Sequence, residues 1–146
     1  MRLFLDANIL FTAAHNPKGK AIFLIELGRQ GYWELFSSPY ALEEARRNLE
    51  RKFPHLLDGL SALVDGICLI EHRAGFDHPD GLAHKDQPIF QAALACQATH
   101  LLTGDIRDFG PFMNQPENTF GICIQTVAEF LKHRVAVKGG VGSTAA

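Results

Sequence analysis

Residues 1–8 of the chain, MRLFLDAN, join a short apolar run to an aspartate at position 6. The run, residues 1–5, lacks the alternation of apolar and polar side chains that a half-exposed strand shows. This pattern is typical of a strand in a parallel sheet that helices cover on both faces. A carboxylate next to such a buried strand is costly unless it is paired, so Asp6 is the first candidate functional residue.

Strand and helix patterns alternate from this segment to the end of the chain. We predict further strands at residues 32–36, 67–70, 99–103 and 120–124, and helices at residues 20–30, 55–65 and 87–97. Ser38 and Pro39 open one more helix, and Thr126 and Glu129 have the capping-box spacing that opens another. This order predicts an α/β fold, a three-layer α/β/α sandwich with a central, mostly parallel sheet. We expect a single domain over residues 1–134 and a flexible C-terminal tail over residues 135–146.

The composition excludes several classes of protein. The chain has 146 residues, of which 47% are hydrophobic and 21% are charged, as in an ordinary globular domain. A formal net charge of −2 argues against a strongly basic domain that binds nucleic acid through its overall charge. No apolar run is long enough for a membrane span, and Asp6 interrupts the first run too early for a signal peptide. The cysteines form no CxxC pair, which predicts buried, reduced thiols in a cytoplasmic protein at Cys68, Cys96 and Cys123.

A set of acidic residues falls at one edge of the predicted sheet. Asp6 directly follows the first strand, and one glycine separates Asp105 from the strand at residues 99–103. Because parallel strands end at the same edge, we expect both carboxylates there. Asp86 opens the helix before this strand, and Glu44 lies near the start of the helix that follows the second strand.

Each of these residues also has a purely structural interpretation. Asp86 stands where a helix N-cap is expected. Glu44 lies nearly opposite the apolar face of its helix, which suits a solvent-exposed charge. Asp105 and Asp108 could be turn residues in the segment TGDIRDFG, residues 103–110. Asp6 is the hardest of them to explain without a partner.

Together the carboxylates favour a metal site. Two carboxylates about 4 Å apart repel each other by roughly 4 kcal/mol at an effective dielectric constant of 20. A divalent cation removes this cost, and Mg²⁺ and Mn²⁺ prefer carboxylate oxygens as ligands. Such ions activate water and stabilise charge on a phosphoryl oxygen, so the sequence predicts metal-assisted phosphoryl chemistry.

Four ordered segments resemble the PIN-domain family. They are LDAN at residues 5–8, SPYALEE at 38–44, KD at 85–86 before an alanine-rich helix, and LTGD at 102–105. The resemblance extends from Arg2 to about Lys132, in the order and spacing of the family. It implies a small α/β/α sandwich and a Mg²⁺- or Mn²⁺-dependent endoribonuclease that hydrolyses RNA phosphodiester bonds. Many members are VapC-type toxins of toxin–antitoxin pairs, so the resemblance also implies a homodimer with an antitoxin protein as its partner.

The resemblance also implies roles for individual positions. Metal-binding or water-activating roles fall on four carboxylates: Asp6, Glu44, Asp86 and Asp105. Supporting roles fall on Asn8 and Thr103, which match polar positions of the family. One departure is Asp108, which stands where relatives often have histidine. It is either an outer metal ligand or a solvent-exposed residue.

An RNA substrate requires local positive charge on a chain whose net charge is −2. Five basic residues are candidates for phosphate binding: Arg46, Arg47, Arg51, Lys52 and Arg107. Alternatively, the arginines of the helix pair with its glutamates on an exposed face. Phe76, Phe109 and Phe112 are candidates for base stacking or, alternatively, for the core or a subunit contact.

Other functions are open at this point. The alternative function is a catalytically inactive RNA- or protein-binding regulatory domain of the same fold. Aspartate-based phosphoryl transfer is disfavoured, because Asn8 stands where a phosphatase of that kind has its second aspartate. A zinc site is disfavoured too, because His72, His78 and His84 are six residues apart in a predicted loop and lack the closer spacing of metal-ligand pairs.

Overall fold

Five strands form one parallel sheet in the computed structural model, which describes residues 1–71 and 75–141. The strands are β1 (Arg2–Leu5), β2 (Glu34–Ser37), β3 (Cys68–Leu69), β4 (His100–Leu102) and β5 (Cys123–Gln125). Their order across the sheet is β3-β2-β1-β4-β5. The five predicted strands are confirmed, and every pairing between them is parallel. The strand β5 begins at Cys123 rather than at residue 120, because Phe120 and Gly121 form a turn with positive φ angles of 56° and 86°.

Helices cover both faces of this sheet. They are α1 (Ala7–His15), α2 (Lys20–Arg29), α3 (Pro39–Lys52), α4 (Leu57–Leu63), α5 (Gln87–Ala95), α6 (Ile106–Phe109) and α7 (Val127–Val141). The chain moves outward from β1 to β3 and then returns through β4 to β5. Since parallel crossovers are right-handed, the helices of the outward and return paths lie on opposite faces. The predicted three-layer α/β/α sandwich is thereby confirmed.

The starts of helices α3 and α7 are fixed by local hydrogen bonds. The Ser38 hydroxyl accepts a hydrogen bond from the Ala41 amide at 3.1 Å, and Pro39 occupies the first turn of α3. At the start of α7 the Glu129 carboxylate accepts from the Thr126 amide at 2.9 Å, and the Glu129 amide donates to the Thr126 hydroxyl at 3.0 Å. Both predicted caps are confirmed.

The core lies on both sides of β1. Leu3, Phe4 and Leu5 are fully buried, and β1 pairs with β2 on one side and with β4 on the other. Strand order reverses between β1 and β4, and ligands of open α/β sheets bind at the carboxyl ends of the strands on either side of such a point. Asp6 and Asp105 follow these two strands.

The helix α1 was not predicted from the sequence. It follows β1 with only Asp6 between them, and it buries Ile9, Leu10 and Ala13 against the core. His15 ends this helix half-buried and stacks on Phe53, with ring centroids 5.2 Å apart, so it is not a simple surface residue.

Three expectations need correction or stay untested. Cys68 is exposed, because it lies on the edge strand β3, and Cys123 is only half-buried, whereas Cys96 is buried as expected. The predicted tail is helical as far as Val141 and lies outside the described residues beyond it, so its flexibility stays a prediction. His72 of the disfavoured zinc set also lies outside the described residues. Among the described residues, no helix has the length and apolar character that a membrane span requires.

Candidate metal centre

Asp6 lies at the carboxyl end of β1, at the centre of the sheet. Its amide donates to the carbonyl of Leu102 at 3.0 Å, which continues the pairing of β1 with β4. The residue is only 4% exposed. Its Oδ1 accepts from the Ala7 amide at 2.7 Å, and its Oδ2 accepts from the Thr103 hydroxyl at 2.8 Å and the Asn8 amide group at 3.3 Å. These three donors are all neutral.

The charge of Asp6 is therefore only partly compensated. The pKa of Asp6 is raised to about 6, chiefly by burial and to a smaller extent by the negative charges of Asp86 and Glu44. The hydrogen bonds from Thr103 and Ala7 act in the opposite direction without cancelling the effect. A cation beside Asp6 would supply the missing compensation.

Asn8 and Thr103 connect Asp6 to the loop that carries Asp105. Asn8 accepts a hydrogen bond from the Gly104 amide through its Oδ1 at 2.7 Å. The fully buried Thr103 hydroxyl donates to Asp6 and accepts from the Asp105 amide at 3.0 Å. The structure thus brings both predicted supporting residues into contact with the acidic site.

Three carboxylates form a second group, which we call the rim cluster: Asp86, Asp105 and Asp108. One oxygen of each lies within 4.8 Å of the others, a spacing that allows them to share a metal ion. The geometry is set locally, because the Asp105 Oδ1 accepts a hydrogen bond from the Asp108 amide at 3.0 Å and thereby caps α6. Asp105 is therefore both a turn residue and a member of the cluster.

Asp86 belongs to the rim cluster and also lies near Asp6. It is buried, and its side chain makes no capping hydrogen bond to α5, so the N-cap interpretation does not explain it. Burial raises the pKa of Asp86, as do the charges of Asp105 and Asp108, whereas the Lys85 ammonium lowers it. The Asp86 carboxylate therefore interacts both with Asp6 and with the other two acids of the rim cluster.

Glu44 lies on the Asp6 side of the site. It is half-buried on α3, and its charge contributes to the raised pKa of both Asp6 and Tyr40. An isolated, fully solvated charge would not have these neighbours. The structure therefore places Glu44 beside the other acids, although it is not part of the rim cluster.

The contacts of Lys85 with the acidic residues were not predicted from the sequence. Its Nζ lies 3.2 Å from Asp86 Oδ2, 3.3 Å from Asp105 Oδ2 and 3.0 Å from Asp108 Oδ2. Burial lowers the pKa of Lys85, but the hydrogen bonds and charges of these carboxylates outweigh it and keep the pKa above its usual value. The Tyr40 hydroxyl donates to the Lys85 carbonyl at 2.8 Å and fixes the backbone there. A lysine next to an acidic motif residue was the only sequence signal.

Some of the arginines predicted to bind substrate have side-chain partners on their own helix, whereas others are exposed. Arg46 pairs with Glu43 at 2.7 Å and with Glu50 at 3.6 Å, as the alternative interpretation of this helix expects. Arg51 donates to Asn48 at 3.0 Å. In contrast, Arg47 and Arg107 are exposed, and the charge of Arg47 reaches Tyr40 at the site. Phe109 is fully buried in the core, which excludes it from base stacking.

Solved structures share this fold at low sequence identity. One is a structure of VapBC2 from Rickettsia felis bound to a DNA fragment from their promoter, matched with a TM-score of 0.61 and 16% identity over 86% of this chain and 98% of that chain. Another is VapBC-1 from nontypeable Haemophilus influenzae, matched with a TM-score of 0.54 and 13% identity over 88% of this chain and 99% of that chain. No protein-family model and no curated protein matches the sequence. The chain therefore has the PIN-like fold of these VapBC proteins, as the resemblance implied.

Proposed function

We propose that this chain is a Mg²⁺- or Mn²⁺-dependent endoribonuclease that hydrolyses RNA phosphodiester bonds. The observation that carries the proposal is the convergence of five carboxylates at the point where strand order reverses, with the buried Asp6 held only by neutral donors. A structural aspartate with this burial is expected to have a cationic partner or a pKa close to normal.

The donor set fits a hard divalent cation. Every candidate ligand is a carboxylate oxygen, the type that Mg²⁺ and Mn²⁺ prefer. The residues that would hold the ion are Asp6, Glu44, Asp86 and Asp105, with Asp108 as an outer ligand. Burial and, to a smaller extent, the mutual repulsion of the carboxylates raise the pKa of Asp6 and of Asp86, and a bound cation would offset both costs.

The protein groups have separate tasks in this proposal. A bound divalent ion lowers the pKa of water and stabilises negative charge on the phosphoryl oxygens. Thr103 and Asn8 hold the Asp6 carboxylate in one orientation through hydrogen bonds of 2.8 Å and 3.3 Å. Hydrolysis forms the bond from the water oxygen to phosphorus and breaks the bond to the leaving oxygen. Glu44 would take the proton of the attacking water, and solvent water would return a proton to the leaving oxygen.

Substrate contacts come from the exposed residues around the acids. Arg47 and Arg107 are exposed and bind the phosphates that flank the scissile bond. Tyr40 lies close to Glu44 and Asp86 and offers an exposed ring for a base. Arg46 contributes less, because its charge is already paired with Glu43 and Glu50.

The biological setting that we propose is the cytoplasm, with this chain as the toxin of a toxin–antitoxin pair. The two solved structures described above are VapBC proteins, and one of them is bound to promoter DNA. These neighbours support an antitoxin protein as the partner, and a homodimer is the expected assembly of the toxin.

The proposed reaction is tested by cleavage of a mixed pool of structured and single-stranded RNAs. The wild type, Asp6→Asn and the control Asp65→Asn are each assayed with Mn²⁺ and with EDTA. Asp65 is an exposed acid in the turn before β3, at the opposite edge of the sheet. We expect cleavage only with Mn²⁺, a loss of at least about 100-fold in Asp6→Asn, and no change in Asp65→Asn.

The same experiment distinguishes the proposed ribonuclease from the alternative function, a catalytically inactive regulatory domain. A regulatory domain without catalysis would retain RNA or a protein partner but would cleave no RNA with any metal. Equal cleavage by the wild type and Asp6→Asn, or cleavage in EDTA, would contradict the proposed site.

A further inference from the structure

The ammonium of Lys85 occupies the position in the rim cluster where a cation is expected. Its Nζ contacts one oxygen of each of the three carboxylates, at 3.2, 3.3 and 3.0 Å. These are the same three residues whose ligand atoms lie within 4.8 Å of one another. An ion at the centre of this cluster and the Lys85 ammonium would therefore compete for the same oxygens.

The backbone around Lys85 is fixed next to the rim cluster, and the side chain that reaches the cluster from it is 59% exposed. Lys85 belongs to a short 3-10 turn, His84–Asp86, directly before α5. The Asp86 amide donates to the Ala83 carbonyl at 2.9 Å, and the Tyr40 hydroxyl donates to the Lys85 carbonyl at 2.8 Å. Two elements, α3 and the turn, thus hold the residue whose side chain reaches the rim cluster.

The Asp6 side of the site has a different electrostatic character. In the part of the chain that the structure describes, Asp6 has neutral hydrogen-bond donors, and the charges of Asp86 and Glu44 raise its pKa. In this part of the chain, a positive charge therefore contacts the rim cluster and none contacts Asp6. A catalytic site with two metal ions places positive charge at two neighbouring positions, and at the rim cluster the Lys85 ammonium already supplies such a charge.

We propose that Lys85 is a built-in cation that replaces a second divalent ion, so that the site binds a single ion on the Asp6 side. This inference rests on the proposed function, since it assumes that the site binds a divalent cation. Of the candidate ligands named above, Asp6, Glu44 and Asp86 would hold this ion, whereas Asp105 and Asp108 would be neutralised by the ammonium instead of by a second ion. Lys85 is a positioning residue in this scheme, because it fixes the rim carboxylates and the number of ions.

The number of bound ions tests the inference directly. Mn²⁺ binding is measured at pH 7.5 by calorimetry and by the electron paramagnetic resonance signal of free Mn²⁺. The proteins are the wild type, Lys85→Met, Lys85→Arg and the control Lys132→Met, which removes an exposed lysine on α7. Methionine keeps most of the length of the lysine side chain without its charge, whereas arginine keeps a charge that can contact the same carboxylates.

We expect one Mn²⁺ per chain in the wild type, in Lys85→Arg and in Lys132→Met. In Lys85→Met we expect two, with the spectrum of a magnetically coupled Mn²⁺ pair. A circular dichroism melt of each variant establishes that it is folded.

The outcomes distinguish the two proposals. Two ions in the wild type, or one ion in both the wild type and Lys85→Met, would overturn the role of Lys85 and leave the proposed function standing. No Mn²⁺ binding by the folded wild type would overturn the proposed function itself.

Discussion

The Thr103 hydroxyl donates a hydrogen bond of 2.8 Å to the Oδ2 of Asp6, although the two residues are 97 positions apart in the sequence. The bond connects the ends of β1 and β4, and the same hydroxyl accepts from the Asp105 amide at 3.0 Å. One buried oxygen atom therefore sets the orientation of one acid and the position of the loop that carries another. The first prediction follows from this arrangement.

Removing this hydroxyl should weaken both metal binding and the stability of the fold. Thr103→Val keeps the size of the side chain but leaves the Asp105 amide and one lone pair of Asp6 without their partner. We expect Mn²⁺ affinity to fall by about 10- to 100-fold and the free energy of unfolding to fall by about 1–3 kcal/mol. Thr103→Ser, which keeps the hydroxyl, is the matched control. Equal Mn²⁺ affinity in Thr103→Val and the wild type would contradict the supporting role of Thr103.

The stability of the metal-free protein should depend on pH through Asp6. Its pKa is raised from 3.8 to about 6, so the folded state holds the proton more tightly than the unfolded state. The contribution of Asp6 to stability is therefore greatest below pH 3.8, falls between about pH 4 and pH 6, and stays low above that range. The pKa difference corresponds to a loss on the order of 3 kcal/mol.

This pH dependence can be measured by urea unfolding in EDTA between pH 4 and pH 7.5. The asparagine side chain of Asp6→Asn cannot ionise, so the profile of this variant should lack the fall that Asp6 causes. Between pH 4 and pH 7.5 its free energy of unfolding should therefore decrease less than that of the wild type. Parallel profiles for the two proteins would show that Asp6 is not the group that titrates.

Added Mn²⁺ should stabilise the wild type in a manner that depends on pH. An ion at 100 times its dissociation constant contributes about 2.7 kcal/mol to the free energy of unfolding. We expect a clear rise of Tm at pH 7.5 and a smaller rise at pH 5, because protons compete for Asp6 below its pKa of about 6. Thermal melts with Mn²⁺ and with EDTA at both pH values check this, and Asp6→Asn should show little response at either.

Two neighbouring arginines of α3 should differ in their effect on RNA binding. Arg46 is paired with Glu43 and Glu50, whereas Arg47 is exposed and its charge reaches Tyr40. We expect Arg47→Ala to raise KM several-fold and to reduce the slope of log affinity against log salt by about 1. Arg46→Ala is the matched control and should change KM less. The reverse order of the two effects would place the RNA on another face of α3.

Much of the fold could be predicted because its elements carry strong local signals. The buried strands β1 and β4 are short apolar runs, and Ser38, Pro39, Thr126 and Glu129 mark the starts of α3 and α7. In contrast, α1 was missed because Asp6 acts at once as the end of a strand and as a helix cap. Sequence periodicity is hard to interpret where two elements meet at one residue.

The acidic residues could be named from the sequence, but their grouping could not. Asp6, Asp86 and Asp105 stand beside predicted elements at one sheet edge, so topology alone brings them near each other. The position of Lys85 depends on the direction of one flexible side chain and on the Tyr40 hydrogen bond, neither of which has a sequence pattern. The assignment of Glu44 came from the family resemblance, since its place on the helix wheel suggested a solvent-exposed charge.

The pairing of β1 with β4 also determines when the site can exist during synthesis. Asp6 leaves the ribosome early, whereas β4 and Asp105 follow about one hundred residues later, and domains form from the amino terminus as the chain emerges. The amide of Thr103 is bonded at 3.0 Å to Gln125 of β5, so the Asp105 loop gains its final support later still. A nascent chain therefore lacks its acidic centre until almost all of the domain has been translated, so an activity that depends on this centre cannot begin before the fold is nearly complete.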